Sequence, residues 1–296
     1  MATATDTPLT FEDYTVTGPG IYDIPEDVYH ADPVPGGSLS SSGARRLLPP
    51  SCPALFEYEQ RHRRRPTEAM EFGTAAHLHI LGTGPKVAPI DAANYQTKAA
   101  QQARDEARER GEVPMLPREL EQLEAMAESI RRHPVASVLL TRDWGRSEQS
   151  AFWRDRATGV ICRARFDVWP HARTGRMIIP DLKTCRSAHP DAISKAVYEH
   201  GYHQQDPWYR AGAKALGLAG EDVAFLFVFL EKTPPYLVTV VELDAAAVAI
   251  GEARNRRALE LYARCRKSGR WPGYSDDIET VTLPAWAERQ GWEEEL

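Results

Sequence analysis

The chain has 296 residues, of which 42% are hydrophobic and 26% are charged, and its formal net charge is −6. This length suffices for one large globular domain or two small ones, and the negative charge argues against a protein that coats nucleic acid non-specifically. The sequence contains no apolar run of about 18 residues and opens without a basic segment followed by an apolar one. We therefore expect a cytoplasmic protein without membrane contact. An enzyme whose basic side chains line one groove is compatible with this charge.

Cysteines and basic residues narrow the class of protein further. Four cysteines are scattered without C-x-x-C spacing, so the sequence offers neither a zinc motif nor a disulfide framework. Their number alone leaves a four-cysteine iron–sulfur cluster open. Basic residues are densest at 61–65, with smaller groups at Arg45–Arg46 and Arg131–Arg132. Each group is either an ordinary solvated face or a contact for nucleic acid.

The N-terminal part of the chain predicts short helices. Residues 1–20 are rich in Thr, Pro and Gly and predict a flexible N-terminus, and residues 20–35 have no regular pattern. The serines at 40–42 provide N-caps for a short helix that ends before Pro49. A second short helix is expected at 53–61, so we predict an N-terminal helical region.

A mostly buried helix is predicted from Glu68 to Leu81. Gly73 and His77 stand one turn apart on one of its faces. The missing side chain at Gly73 would let another backbone approach the His77 imidazole. The alternative is a partly buried histidine whose hydrogen bonds are satisfied within the protein. His79 lies off this face.

Residues 98–133 predict a pair of inserted helices. Residues 98–112 are highly charged, as is typical of a solvated helix, whereas residues 116–132 carry apolar side chains at helical spacing. The second helix is expected to end near His133–Pro134. We therefore predict an αα-hairpin inserted before the core.

The second half of the chain predicts an α/β core. Three consecutive strands in a meander are expected at 148–154, 160–169 and 177–184. A helix at 190–200 is expected to follow them. Asp206 and Pro207 are suited to be the N-cap and the first residue of the next helix, which ends at Leu216.

The remaining elements complete the predicted sheet. The continuous apolar run 224–230 indicates a central strand buried on both faces. A strand at 236–243 and a helix at 245–267 follow. The pattern predicts an α/β fold with a mixed sheet flanked by helices, and the acidic, tryptophan-rich tail from Trp271 is expected to wrap the surface.

Polar residues on two consecutive predicted strands form the candidate site. Asp181 and Lys183 project from one face of their strand, with Leu182 opposite. A hairpin in ordinary register brings Asp167 of the preceding strand beside Asp181. Two adjacent carboxylates are unfavourable unless a cation joins them, and Mg²⁺ takes such oxygen ligands. A lysine beside the ion is suited to orient or deprotonate a water molecule. The alternative is an exposed hairpin whose Asp and Lys pair only with each other.

These residues belong to an ordered set of motifs. The set comprises a G-x-x-x-H helix, an acidic strand, a D-x-K strand and a Q-x-x-x-Y segment, found at Gly73–His77, Arg165–Asp167, Asp181–Lys183 and Gln205–Tyr209. Over residues 25–285 the chain resembles the PD-(D/E)xK nuclease superfamily. Glu148 stands where many members of this superfamily carry an upstream glutamate, and Gly269–Tyr274 is similar to its RecE-like phage and prophage members. Within this superfamily, the chain is similar to the RecB/RecE-type exonucleases, such as exonuclease VIII and, more distantly, lambda exonuclease.

The resemblance implies a fold and a metal site. It implies a restriction-endonuclease-like core in one domain at 21–285, with the helical insertion at about 98–133 and an acidic tail at 286–296. The implied ligands of Mg²⁺ or Mn²⁺ are Asp167, Asp181 and the backbone carbonyl of Leu182, with His77 as a further ligand or a phosphate contact. Glu148 would reach the ion through water.

The resemblance also implies roles in catalysis and DNA binding. Lys183 would position the attacking water, and Gln205 and Tyr209 would touch the DNA backbone or orient Lys183. Further predicted DNA contacts are Arg165, Arg45 and Arg46. The implied activity is a DNA exonuclease that digests linear duplex ends from 5′ to 3′, as a ring-shaped homo-oligomer of three or four subunits with a single-strand annealing partner.

Two other functions stay open. One is a RecB-like nuclease specific for single strands or flaps, and the other is a non-catalytic DNA-binding module on the same fold. The module has no need of Asp167 and Asp181, because the two carboxylates repel phosphate unless a metal is bound.

Two prolines depart from the family pattern. Pro180 is not the proline of the family name, because the first acid of that name corresponds to Asp167. Since Pro180 lacks a backbone donor, a bulge or distortion of the strand is expected just before the metal site. Pro207 lies inside the Q-x-x-x-Y segment, and a helix that begins at Asp206 would leave Gln205 outside it with its role open.

Overall fold

The structure is a computed structural model that describes residues 14–62, 67–171, 175–220 and 222–294. Four predicted features lie partly outside these ranges: the flexible N-terminus, the basic run at 61–65, the loop between the second and third predicted strands, and the end of the acidic tail. The helices are α1 (Glu26–Ala31), α2 (Ser41–Arg46), α3 (Pro53–Arg61), α4 (Glu68–Leu81), α5 (Lys98–Glu109), α6 (Pro117–Arg132), α7 (Ala136–Leu139), α8 (Pro190–His200), α9 (Tyr202–Ala215), α10 (Ala245–Ser268) and α11 (Ala285–Glu294). The strands are β1 (Gly20–Tyr22), β2 (Leu39–Ser40), β3 (Val87–Pro89), β4 (Val113–Met115), β5 (Gly145–Arg154), β6 (Ile161–Pro170), β7 (Met177–Cys185), β8 (Val223–Glu231) and β9 (Val238–Glu242).

Two sheets meet at β6 and β7. The first has the order β1-β5-β6-β2 and the second has the order β7-β8-β9. Antiparallel pairs join β1 to β5, β5 to β6 and β8 to β9, whereas β2–β6 and β7–β8 are parallel. The predicted mixed α/β architecture is therefore confirmed. The predicted three-stranded meander is right for β5 and β6, but β7 pairs with β8 and forms no ladder with β6.

The separation of β6 from β7 has a local chemical cause. The backbone N–H of Leu182 in β7 donates to the Asp167 side-chain Oδ2 at 2.6 Å, so a carboxylate takes the place that a backbone carbonyl of β6 would fill in a ladder. Pro180 has no N–H to donate. The β7–β8 register nevertheless runs without interruption from Met177 to Cys185, so the bulge expected at Pro180 is wrong for this pairing.

The central strand β8 is buried on both faces, as its apolar run predicts. Phe225, Phe227 and Phe229 face one core, which also contains side chains of α2, α3, α8, α9 and α10. Val228 and Leu230 face the other core, which is completed by α4 and α6. Each fully buried Phe contributes about 1.5–3 kcal/mol relative to its exposed state. The sheets are thus flanked by helices on both sides.

Short elements in two regions were not predicted. In the region at 20–35, β1 pairs with β5 and is followed by α1. In the insertion, β4 separates α5 from α6 and pairs in parallel with β3. The insertion is therefore not the simple αα-hairpin that was predicted. These strands have only three residues each, too few to produce a detectable alternation of apolar and polar side chains.

Helix α9 begins at Tyr202 and contains Pro207 in its interior, so the predicted start at Asp206 is wrong. Gly201 has a φ of 72°, ends α8 in the left-handed conformation and lets α9 begin at once. The ring of Pro207 offers no N–H to the His203 carbonyl one turn before it. Gly251 of α10 packs against this carbonyl, since a Cβ there would lie 1.6 Å from the His203 oxygen. Gln205 therefore lies inside the helix.

Within the described residues, the tail packs against the core where it leaves α10. Trp271 stacks on Phe56, with ring centroids 5.7 Å apart, whereas Ile278 and Val281 project from the surface with 101% and 88% exposure. The expectation that the tail wraps the surface is wrong for this segment. Within the described residues, no helix is both long and apolar enough to cross a membrane.

Candidate metal centre

Three potential metal ligands converge where β5, β6 and α4 meet. One donor atom from each of His77, Glu148 and Asp167 lies within 4.8 Å of the other two. His77 Nδ1 is 3.6 Å from Asp167 Oδ2 and 3.8 Å from Glu148 Oε1. Asp167 is 9% exposed. The two carboxylates and the imidazole thus form a largely buried polar cluster.

Helix α4 delivers His77 to this space from one side of the sheet. The Thr67 side chain caps its first turn by accepting from Met70 N, and Gly82 ends it with a φ of 72°. A Cβ at Gly73 would meet just one atom of the described residues within 4 Å, Thr184 Oγ1 at 3.9 Å. Beyond the backbone of α4 itself, no backbone atom of the described residues lies within 4 Å of this position.

Glu148 owes its position to an irregularity in β5. It has a φ of 56°, a left-handed conformation that costs a non-glycine residue about 1–3 kcal/mol. The β5–β6 ladder keeps one register before and after Glu148, but Glu148 and Asp167, which would face each other in that register, are not paired. Arg165 of β6 holds the glutamate, because its Nε donates to Glu148 Oε2 at 2.7 Å. The strained backbone thus directs the carboxylate toward His77.

A second charged pair lies on β7. The Lys183 ammonium forms an ion pair with Asp181 Oδ2, and Gln205 Nε2 donates to Asp181 Oδ1 at 2.6 Å. Asp181 is 2% exposed. The predicted proximity of the two acids is supported by the backbone bond from Leu182 to Asp167, but among the described residues Asp181 is not part of the cluster formed by the side chains of His77, Glu148 and Asp167.

Burial and mutual charge shift the pKa values of these groups. Burial lowers the pKa of His77, but the charges of Asp167 and Glu148 outweigh this effect and raise it to about 9. Burial raises the pKa of Asp181 to about 6, against the opposing charge of Lys183. Burial likewise raises the pKa of Asp167, against the charges of His77 and Lys183. The protonated imidazole and the ammonium therefore serve as counter-charges for the buried acids.

The donor set fits a divalent cation. Carboxylate oxygens suit Mg²⁺ and Mn²⁺, and an imidazole nitrogen suits a transition metal such as Mn²⁺. Protonated His77 is a counter-ion rather than a ligand, so binding of a metal at this cluster requires the loss of its proton. His77, Glu148 and Asp167 are the residues that would hold the ion.

The predicted DNA contacts divide into two groups. Three are engaged within the protein: Gln205 with Asp181, Arg165 with Glu148, and the Tyr209 hydroxyl with the Arg165 carbonyl at 2.9 Å. These three are placed to orient other residues of the site. The two arginines of α2 are nearer the surface: Arg45 donates to the Glu199 carbonyl at 3.3 Å, and exposed Arg46 pairs with Glu59. DNA contact stays a prediction for all five.

One aromatic residue of the site, Tyr202, was not predicted from the sequence. The ring of Tyr202 lies under the Lys183 ammonium, with Nζ 5.2 Å from the ring centroid. Tyr202 lies three positions before Gln205 on α9 and so shares a face with it. A helix start at Tyr202 instead of Asp206 would have revealed this spacing.

Comparisons with known proteins place the chain in a family. A comparison with curated proteins found no significant match. Among solved structures, a candidate exonuclease from Eubacterium rectale has a TM-score of 0.56 and 14% sequence identity, over 86% of this chain and 93% of that chain. This similarity confirms the predicted restriction-endonuclease-like fold. Residues 40–284 match the family of PDDEXK-like domains of unknown function (DUF3799), so the chain belongs to this family, and the predicted membership in the PD-(D/E)xK superfamily is confirmed.

Proposed function

We propose that the protein is a divalent-metal-dependent DNA exonuclease that hydrolyses phosphodiester bonds at linear double-stranded ends in the 5′-to-3′ direction. The observation that carries this proposal is the convergence of His77, Glu148 and Asp167 beside the Asp181–Lys183 ion pair. Membership in a PDDEXK-like family supports a nuclease. The polarity, the duplex substrate and a role in phage-type recombination follow from the resemblance to RecB/RecE-type exonucleases.

Lys183 has the charge that the reaction needs. Burial lowers its pKa, but Asp181 and Asp167 outweigh this effect and raise it. A charged ammonium can orient the attacking water and neutralise the negative charge that develops on the phosphate. Of the two roles considered for Lys183, orientation of the water is the one we propose.

The remaining residues hold the reacting groups in place. A divalent ion at the cluster would polarise the phosphate and stabilise the leaving oxygen. We propose that Asp181 and the Leu182 carbonyl complete the ligand set formed by the three-residue cluster. Gln205 fixes one oxygen of Asp181, and Arg165 fixes one oxygen of Glu148, so both carboxylates are preoriented before substrate binds.

Assembly and partners are proposed from the resemblance alone. We propose one catalytic domain at 21–285, a ring-shaped homo-oligomer of three or four subunits, and cooperation with a single-strand annealing protein. Light scattering of the purified chain measures the subunit number. A monomer at micromolar concentration would contradict the ring.

Digestion of labelled DNA tests the activity. The 5′-labelled and 3′-labelled forms of one linear duplex, its circular form, a single strand and a flap are incubated with Mg²⁺ or Mn²⁺. We expect loss of the 5′ label first, intact circles, and no activity in EDTA. The variants Asp167→Asn and Lys183→Met should lose activity, while Asp191→Asn, in which the altered side chain is 92% exposed, should keep it.

Each alternative predicts a different result. Preference for the single strand or the flap would identify a flap-type nuclease. Absence of cleavage together with no calorimetric signal for Mn²⁺ at millimolar concentration would favour a non-catalytic DNA-binding module. Normal activity of Asp167→Asn or Lys183→Met would refute the assignment of the site.

A further inference from the structure

We propose that Tyr202 is a positioning residue for Lys183, and that the face of its ring holds the ammonium group in place for the reaction. This inference rests on the proposed nuclease function for its kinetic consequence. Its geometric part does not depend on that function.

Aromatic rings and one carboxylate surround the Lys183 ammonium. Nζ lies 5.2 Å from the centroid of Tyr202 and 6.0 Å from the centroid of Phe227, within or at the limit of the range for an attraction between a cation and an aromatic face. The ammonium also pairs with Asp181, and its side chain is 18% exposed. Such partial burial strengthens the attraction relative to a site in open solvent.

The Tyr202 ring is itself held by neighbouring groups. It packs against Phe227 and Phe229 of β8, with ring centroids 5.4 Å and 5.9 Å apart. The preceding residue, Gly201, has a φ of 72°, and a Cβ there would lie 2.4 Å from Arg45 Cδ. The Arg45 side chain therefore packs directly on the turn that begins α9. This turn fixes where the Tyr202 ring stands.

Tyr202 extends a row of residues that face the site from α9. Tyr202, Gln205 and Tyr209 lie on one side of the helix, and each holds a different group. Gln205 donates to Asp181, and the Tyr209 hydroxyl donates to the carbonyl of Arg165 in β6. Tyr202 holds Lys183 through the face of its ring. One rigid helix thus fixes the acid and the lysine of the D-x-K strand as well as the neighbouring strand.

The Tyr202 ring holds the Lys183 ammonium even when the ion pair with Asp181 weakens. A lysine side chain has four rotatable bonds, and fixing it costs about 1.5–2 kcal/mol of side-chain conformational entropy. The attraction to Asp181 weakens whenever that carboxylate is shared with another cation. The attraction to the ring is independent of the carboxylate's charge, so it persists when Asp181 serves as a metal ligand.

Kinetics of matched variants test the proposal. Tyr202→Leu should lower kcat by about 3- to 30-fold, as expected for loss of a partly buried cation–aromatic contact. Its KM and its affinity for DNA in Ca²⁺ should stay within twofold of the wild type. Tyr202→Phe keeps the ring face and should restore kcat to within twofold. The control Tyr198→Leu removes a tyrosine that is 77% exposed and should change neither parameter.

Two outcomes would overturn the positioning role. Equal losses in Tyr202→Phe and Tyr202→Leu would show that the hydroxyl, not the ring, matters. An increase in KM with unchanged kcat would assign Tyr202 to substrate binding.

A spectroscopic readout separates this proposal from the proposed function. A ring close to the Lys183 side chain shifts its ε-methylene resonance upfield, and the resonance is assigned by its loss in Lys183→Arg. The shift should persist in Tyr202→Phe and disappear in Tyr202→Leu, whether or not the protein cleaves DNA. An unshifted resonance in the wild type would refute the geometry, whereas absence of cleavage with the shift present would refute only the nuclease assignment.

Discussion

The hydrogen bond from Gln205 to Asp181 allows a quantitative prediction. The Gln205 amide donates to Oδ1 at 2.6 Å, and Asp181 is 2% exposed, so water cannot replace this donor. Replacement by leucine, Gln205→Leu, keeps the size of the side chain but leaves the carboxylate oxygen without that partner. Loss of a hydrogen bond to a buried charged group costs about 1.5–3 kcal/mol. For a chain of this size, this predicts a decrease of about 3–12 °C in Tm.

An exposed bond of the same chemistry is the control. Gln102 Nε2 donates to Glu106 Oε1 at 2.8 Å on the solvent side of α5. Gln102→Leu should change Tm by less than about 1 °C, because water solvates the freed carboxylate. Thermal unfolding of both variants, without added metal, is followed by circular dichroism. A Gln205→Leu variant with the Tm of the wild type would refute the energetic role of this bond, and equal losses in both variants would refute burial as its cause.

Three further predictions concern metal, packing and acid. With Mn²⁺ at tenfold its Kd, the free energy of unfolding should increase by about 1.4 kcal/mol, and His77→Gln should abolish this gain in calorimetric scans. Gly251→Ala should lower Tm by several degrees because the added Cβ collides with a backbone oxygen at 1.6 Å. Gly273→Ala should be neutral, because among the described residues no atom beyond its chain neighbours lies within 4 Å of the added Cβ. Burial raises the pKa of Asp155, but hydrogen bonds from Arg256 and a neighbouring threonine outweigh this and lower it from 3.8 to about 2. Its contribution to stability is therefore complete above about pH 4 and is lost as the pH falls toward 2, so the difference in stability between the wild type and Asp155→Asn should shrink over this interval in acid titrations.

Long elements with a strong periodic pattern could be predicted from the sequence. The bounds expected for α3, α4, α6, α8 and α10 agree with the structure to within a residue or two, because an apolar helical face many residues long is a clear signal. The run at 224–230 identified β8 for the same reason. The strands β1 to β4 have two or three residues each. β1 and β2 pair with the longer strands β5 and β6, whereas β3 and β4 pair with each other.

The start of α9 shows why a local signal can fail. Asp206 followed by Pro207 is a strong pattern for a helix N-terminus, yet the helix starts before both. Gly201 supplies an earlier start, and Asp206 is instead fully buried, where it pairs with Arg210 one turn later. Tertiary burial of Asp206 outweighed its capping preference. This error also concealed the contact between Tyr202 and Lys183.

The arrangement of the acids depends on a departure from regular sheet geometry. An ordinary hairpin register predicts that Asp167 and Asp181 approach side by side, but in the structure the Asp167 carboxylate bonds the Leu182 amide and keeps β6 from pairing with β7. The β5–β6 register also lacks the pair between Asp167 and Glu148, whose φ is 56°. A regular ladder between β6 and β7 would use the Leu182 amide for a backbone bond instead. Two regular strand pairings are thus lost at the point where the three candidate ligands meet.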